Sequence, residues 1–366
     1  MSHSQSVTAA APKRARVFYL DLIRALATVL IVLTHFNNPY FSGGGYLLTN
    51  TPFGIYVGDL GVSLFLIISG AALTLTYGGK GKLDLKRFYL KRFQSIYPMF
   101  WTAWILATGF FFVVRRGFPP NVAPTRSLIW TLLGCDGYMA NFHVRTAYLL
   151  GEWFLGFILL FYLLFPLLLW GVERYPVPTV AIVMALYAAS LWFFRSHPDY
   201  PAAIIMSTRL PELVFGMLFV KYVKQVHWAV VIPAIAMLLV SAQFPTQIPE
   251  DLATTAVGIA AFLVLVVVGR WVAIGPVRSL VSFIAKYSYP IFLVHHVVIY
   301  QVFSTMDTST FYPVQKYMMF AFICVIVVLL AVALPKLTGN IVSGFKSAFA
   351  GQWWRPEVSE LERGAK

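Results

Sequence analysis

Long apolar runs recur along the whole chain, and nearly all the charge is gathered in the polar links between them. The runs cover about 17–36, 54–77, 97–114, 148–172, 178–194, 203–220, 228–243, 252–269, 286–304 and 313–335. Crossing bilayer hydrocarbon as a helix takes roughly 20 apolar residues. A backbone facing lipid must also satisfy its own hydrogen bonds. The pattern therefore predicts an all-α, polytopic transmembrane helical bundle of about ten spans. A transmembrane β-barrel would instead show short segments of alternating polarity. Several runs are only about 17 residues long, which predicts tilted or interrupted helices there. The stretch 341–355 sets Ile341, Phe345, Phe349, Trp353 and Trp354 beside Lys346 and Arg355, the pattern of an interfacial helix. The organisation read from this is a tail over 1–16, a membrane domain over 17–335, and an interfacial helix with a tail over 336–366.

Composition sharpens the class. Hydrophobic residues make up 59% of the chain and charged residues 11%, against roughly 45–50% and about 25% in soluble domains. An ordinary soluble enzyme, a disordered chain and a disulfide-stapled secreted domain are excluded. The net charge of +14 would suggest nucleic acid in a soluble protein. Here the basic residues track the links, so they are read as orientation by the positive-inside rule. Lys13, Arg14 and Arg16 precede the first run; Lys80, Lys82, Lys86, Arg87, Lys91 and Arg92 lie between the second and third; Arg174, Lys221, Lys224, Arg270, Arg278 and Lys286 occupy later links of the same parity. Both termini are accordingly expected in the cytoplasm. The long link 115–147, with Arg115, Arg116, Arg126 and Arg145, departs from the rule and is expected to cap the opposite side. Cys135 and Cys324 have neither zinc spacing nor a framework, so neither a metal site nor a disulfide is expected.

Ionisable side chains at membrane depth are costly and tend to mark function. The set is Asp21, Arg24, His35, Asp59, Glu152, Arg209, Glu212, His295 and His296. Arg24 and His35 are eleven residues apart, about 20° beyond three helical turns, so both lie on one face with about 16 Å of axial rise between them. Asp21 is placed to pair with Arg24; a purely structural pair is the alternative. Arg209 and Glu212 stand one turn apart around Pro211, either in a polar cavity or as a self-neutralised pair. Ser288 and His295 share one stripe of their helix, Tyr289 and His296 another. Glu152 opens the fourth run and belongs either to the cavity or to the interface. Asp59 reads as a helix-end residue.

The string FYLDLIRALATVLIVLTHF at 18–36 resembles the opening of the acyltransferase-3 family of integral membrane acyltransferases, whose hallmark is a basic residue, ten residues and a histidine. Four further segments follow in family order: GVSLFLIISG at 61–70, RFYLKRFQSIYPMFW at 87–101, RLPELVFG at 209–216 and KYSYPIFLVHH at 286–296. There are departures. Ser95 stands where the family usually has an arginine three before the proline. Only Gly151-Glu152-Trp153-Phe154-Leu155 corresponds to the family's fourth-segment motif, in a form closer to its polysaccharide-acetylating branch.

The resemblance implies transfer of an acyl group, usually acetyl from acetyl-CoA as co-substrate, to a hydroxyl of a sugar or lipid-linked glycan. It implies an integral protein of the bacterial inner membrane working in exopolysaccharide assembly, with no metal. On that reading His35 is the general base, since imidazole titrates near neutrality, and Arg24 with Asp21 shapes the donor path. Lys86, Arg87, Lys91 and Arg92 bind the CoA phosphates. Ser69, Tyr289 and His295, with Glu152, Arg209 and Glu212, supply a polar cavity and the candidates for oxyanion stabilisation. Tyr40, Phe41, Tyr46, Phe53 and Tyr56 are candidates for stacking on the acceptor sugar. The rival class is a transporter or flippase for a lipid-linked sugar or polysaccharide; a non-catalytic partner of polysaccharide-assembly proteins is a third. Nucleic acid is not expected as a partner.

Overall fold

The computed structural model describes residues 17–38, 47–117, 123–146, 149–150, 153–197, 199–245, 249–306 and 311–349. All regular structure among them is helical. The apolar runs form α1 (Phe18–Phe36), α2 (Val57–Tyr77), α3 (Leu85–Val114), α6 (Trp153–Arg174), α7 (Pro176–Arg195), α8 (Met206–Tyr222), α9 (Trp228–Gln243), α10 (Glu250–Trp271), α11 (Gly275–Thr305) and α12 (Pro313–Phe349). Two short helices, α4 (Leu128–Leu133) and α5 (Asp136–Ala140), interrupt the long link after α3. Eight of the helices are long and apolar enough to cross a bilayer. Against the expected ten, α8 and α9 fall short, with 17 and 16 residues.

Two boundaries differ from the hydrophobic pattern for a local reason. The basic segment before the third run is helical rather than a link. Asp84 caps α3, its carboxylate accepting from the Arg87 amide at 3.0 Å, and no helix breaker intervenes until Pro98. A 30-residue helix results, so Lys86, Arg87, Lys91 and Arg92 occupy its first two turns. At the other end of the chain, 341–349 continues α12 instead of beginning a separate interfacial helix. Pro335 lies inside a helix that runs on for 37 residues in all.

α2 is the central helix, packed against α1, α8 and α10. Its crossing with α8 is backbone on backbone. A Cβ on Gly70 would stand 2.1 Å from the Leu213 carbonyl oxygen, and one on Gly216 would stand 1.9 Å from that of Ile67. Small residues serve this purpose where lipid removes the hydrophobic drive between helices. α1 lies antiparallel to α2, with Thr34 against Gly58 and Ile31 against Gly61. α11 runs alongside α1 in the same direction: the Arg278 guanidinium sits 5.4 Å over the Phe18 ring near the start of both, and His295 meets His35 near the end of α1. The link after α3 is packed rather than splayed. Tyr97 and Trp101 of α3 donate to the carbonyls of Leu133 and Leu132, and Tyr138 lies against Gly156 of α6.

Candidate active site

A cavity of about 410 Å³ runs between α1, α2, α3, α6 and α11. Thr34 and His35 line one end together with Tyr56 and Asp59 at the start of α2; Ser69, Ser95, Tyr162, Ser288 and Tyr289 line the other. Phe65, Phe154, Ile158 and Phe292 form the wall between. From Asp59 to Ser69 the long axis is about 15 Å, ten residues of helix rise. Two helices reach the cavity just before a proline. Ser95 and Ile96 precede Pro98, and Ser288 and Tyr289 precede Pro290. Neither proline has an N–H, so the carbonyls of Gln94 and Lys286 lack their helical donor, which membrane helices tolerate where protein or a cavity takes over. The Tyr289 hydroxyl bridges the two helices, donating to the Ile96 carbonyl at 3.0 Å.

At the His35 end, two histidines from different helices meet. The His35 ring is half-buried and that of His295 is fully buried. Their centroids are 4.9 Å apart at an interplanar angle of 79°. His296 also meets His35 edge-on, at 5.4 Å. His35 Nδ1 lies 2.8 Å from the Ile31 carbonyl oxygen and 3.4 Å from His295 Nε2. His295 Nδ1 lies 2.9 Å from the Phe292 carbonyl oxygen and 3.1 Å from that of Ile291.

At the opposite end the Arg92 guanidinium lies 5.7 Å over the Tyr162 ring, and its Nε is buried with no hydrogen bond among the described residues. Arg24 faces Asp21 at 3.7 Å, the carboxylate nearly buried and the guanidinium partly exposed. The cavity thus has Arg92 at one end and imidazoles at the other, while Arg24 and Asp21 are not among the residues that line it. Lys86, Arg87 and Lys91 are exposed on the outer faces of α3; only Arg92 of the basic quartet turns inward.

Arg209 and Glu212 do not line this cavity, and of the two readings the sequence left open the self-neutralised pair is the one they form. They lie on another side of α2, where Arg209 Nε stands 3.2 Å from Glu212 Oε2 at 3% and 0% side-chain exposure. Ser63 of α2 donates to Glu212 Oε1 at 2.6 Å and lies 3.4 Å from Arg209. Gly258 of α10 leaves room for Ser63. This is a self-neutralised pair that ties α8 to α2. The hundred-degree step of a helix separates Ser63 from the cavity-lining Val62, so one residue decides the side. Arg209 does line a second cavity of about 240 Å³ with Thr208, Glu250 and Thr254, and Asp59 lines both.

Ser69, Tyr289 and His295 are where the sequence places them, around the cavity or beside His35, but their hydrogens are engaged. The Ser69 hydroxyl donates to the Phe65 carbonyl at 2.7 Å, Tyr289 donates to Ile96, and His295 Nδ1 faces two carbonyls. Glu152, Tyr40, Phe41 and Tyr46 lie outside the described residues. Asp59, Tyr162, Ser95 and Thr34 line the cavity, although sequence reasoning did not choose them. Asp59 was legible as an acid within an apolar run, level with His35 once α1 and α2 are paired antiparallel. Burial, and then the neighbouring Asp136, push the thiol of Cys135 in the capping link upward. Cys135 and Cys324 form no disulfide, and no three potential metal ligands cluster among the described residues.

An all-helical fold with eight helices long and apolar enough to cross a bilayer, and a cavity between them with an arginine near one end and imidazoles at the other, defines an integral membrane protein with an internal site. Residues 17–335 match the acyltransferase-3 family, described as an acyltransferase domain. The match spans most of the chain, and the protein belongs to that family. Comparison with curated proteins and with solved structures found no match. The chain is therefore a membrane acyltransferase.

Proposed function

We propose that the protein moves an acetyl group from cytoplasmic acetyl-CoA to a hydroxyl of a sugar in an extracytoplasmic or lipid-linked glycan. The observation that carries this reading is the single cavity joining the Arg92 and Tyr162 end to the His35 and Asp59 end. Coenzyme A is polyanionic, and its phosphates suit the exposed Lys86, Arg87 and Lys91 with the inward Arg92. The pantetheine arm is long and largely neutral, which suits a narrow passage walled by Phe65, Phe154 and Phe292. Arg24, paired with Asp21 on the His35 face of α1, would guide the donor toward His35.

His35 then acts as general base. It takes the proton of the acceptor hydroxyl at Nε2 while the oxygen attacks the thioester carbonyl. The carbon–sulfur bond breaks, and the proton passes from Nε2 to the departing thiolate, so that ester and CoA thiol are the products. Tyr56 and Asp59 flank His35 where the acceptor would enter, an aromatic face and a carboxylate that suit a sugar ring. The branch acetylating exopolysaccharide, the inner-membrane location and a role beside polysaccharide-assembly proteins belong to the same proposal.

The test uses the full-length protein in lipid nanodiscs with radiolabelled acetyl-CoA and p-nitrophenyl glycosides as probe acceptors. Acetylated glycoside, or slow CoA release to water, is the expected result. His35→Ala lowers either rate by roughly 10²-fold or more, the lower part of what general base catalysis contributes, while the protein remains monodisperse. Full activity in His35→Ala removes that residue from the mechanism. No CoA release from wild type, with flux of a lipid-linked sugar across the bilayer instead, overturns the acetyl-CoA reading in favour of transport.

A further inference from the structure

We propose that His295 is a positioning residue for His35: together with the Ile31 carbonyl it holds the proton of the His35 ring on Nδ1, and it shares the charge that ring acquires in the reaction. The inference deepens the function proposed above and rests on it for its kinetic part.

A carbonyl oxygen only accepts, so a ring nitrogen at hydrogen-bonding distance from one is the nitrogen that bears hydrogen. His295 Nδ1 faces the carbonyl oxygens of Phe292 and Ile291 at 2.9 and 3.1 Å. Its proton therefore sits on Nδ1, and in the neutral ring Nε2 carries the lone pair. That nitrogen lies 3.4 Å from His35 Nδ1, which also faces the Ile31 carbonyl oxygen at 2.8 Å. The Ile31 carbonyl oxygen and the His295 lone pair both accept, so the proton of His35 is on Nδ1. The unprotonated nitrogen is then Nε2, the one a base needs. The alternative tautomer of His35 would set a lone pair against two others.

The second consequence concerns charge. When His35 Nε2 takes the hydroxyl proton, the ring becomes an imidazolium whose Nδ1–H points at a neutral imidazole nitrogen. The positive charge is partly relayed onto His295, itself held by two main-chain carbonyls of α11. In a site walled by phenylalanines, that substitutes for the water a surface histidine would use. His295 touches neither substrate; it acts through His35. Among the described residues, the other titratable groups at the His35 end of the cavity are Asp59 of α2, Tyr56 before it, and His296 of α11.

Two measurements on the full-length protein in nanodiscs test this. In ¹⁵N-histidine-labelled protein, assigned with His35→Ala and His295→Leu, both rings are expected protonated at Nδ1 and bare at Nε2. An Nε2–H form of either ring in wild type overturns the proposal, whatever the enzyme's activity. In the acetyl-transfer assay, His295→Leu is expected to lower kcat by about tenfold or more with KM for acetyl-CoA unchanged. The acid limb of its pH profile moves down by about one unit, because the imidazolium has lost its acceptor. His295→Gln, which keeps an acceptor at the same reach, restores most of kcat and the acid limb. If His295→Leu matches wild type in rate and pH profile while His35→Ala is inactive, the positioning role fails and the proposed function stands. If His295→Gln is folded yet as slow as His295→Leu, the role fails as well. Should His295→Leu not fold, His295→Gln and the ring spectra decide.

Discussion

His35 illustrates what a residue's type and spacing convey and what they do not. Its place on the Arg24 face of α1 followed from eleven residues of helix, and an ionisable group at that depth marked it for chemistry. The partner that orients it is 260 positions away, and no periodicity reaches that far. Arg92 makes the same point. Four basic residues in seven positions were equally good candidates for phosphate binding. Helix phase alone turns Arg92 onto Tyr162 while Lys86, Arg87 and Lys91 remain exposed. If the inward residue reaches the donor, Arg92→Ala raises KM for acetyl-CoA by roughly tenfold, the equivalent of one charge-assisted hydrogen bond. Lys86→Ala has a smaller effect, and the acceptor KM stays unchanged in both. Donor titrations of the two variants check this, and equal small effects would return the quartet to orientation alone. Arg209 and Glu212, one turn apart, fitted either a polar cavity or a self-neutralised pair in sequence. Burial on another side of α2, closed by Ser63, makes them a structural pair.

At the scale of elements, the apolar pattern located the helices but placed several ends wrongly. Hydrophobicity ends where lipid ends, whereas a helix ends where its caps and breakers lie. α3 therefore extends down to Asp84, and α12 carries on past Pro335. The crossing of α2 with α8 was half legible: glycines were visible in both runs, but only the packed pair shows which of them face each other. Gly216→Ala sets a methyl group against the Ile67 carbonyl, forcing the helices apart at a cost of about 1–3 kcal/mol. The expected outcome is a lower midpoint for thermal loss of the monodisperse peak in size-exclusion chromatography. Gly109→Ala, where a Cβ would meet nothing, leaves that midpoint unchanged. Equal midpoints for the two would mean that the close approach is not required.

For the whole molecule, the charge asymmetry of the links predicts that the start of α3 faces the cytoplasm and that the residues preceding α2 face the other way. In a background lacking Cys135 and Cys324, Lys82→Cys should react with an impermeant maleimide only in inside-out vesicles, and Leu48→Cys only in right-side-out ones. Both positions are exposed. The reverse pattern would put the basic quartet, and with it the donor, on the wrong side.

Sequence alone determined that this chain is an all-α membrane protein, where its apolar runs lie, how charge divides among the links, and the ordered motifs shared with an acyltransferase family. Those properties are local or additive: hydrophobicity summed over a run, charge counted over a link, phase counted along one helix. Tertiary structure decided which ionisable groups share a cavity, that Asp59 and Tyr162 belong to it and Glu212 does not, and that two imidazoles meet. Such facts depend on how helices distant in sequence turn against one another, and each turn is set by packing on several neighbours at once.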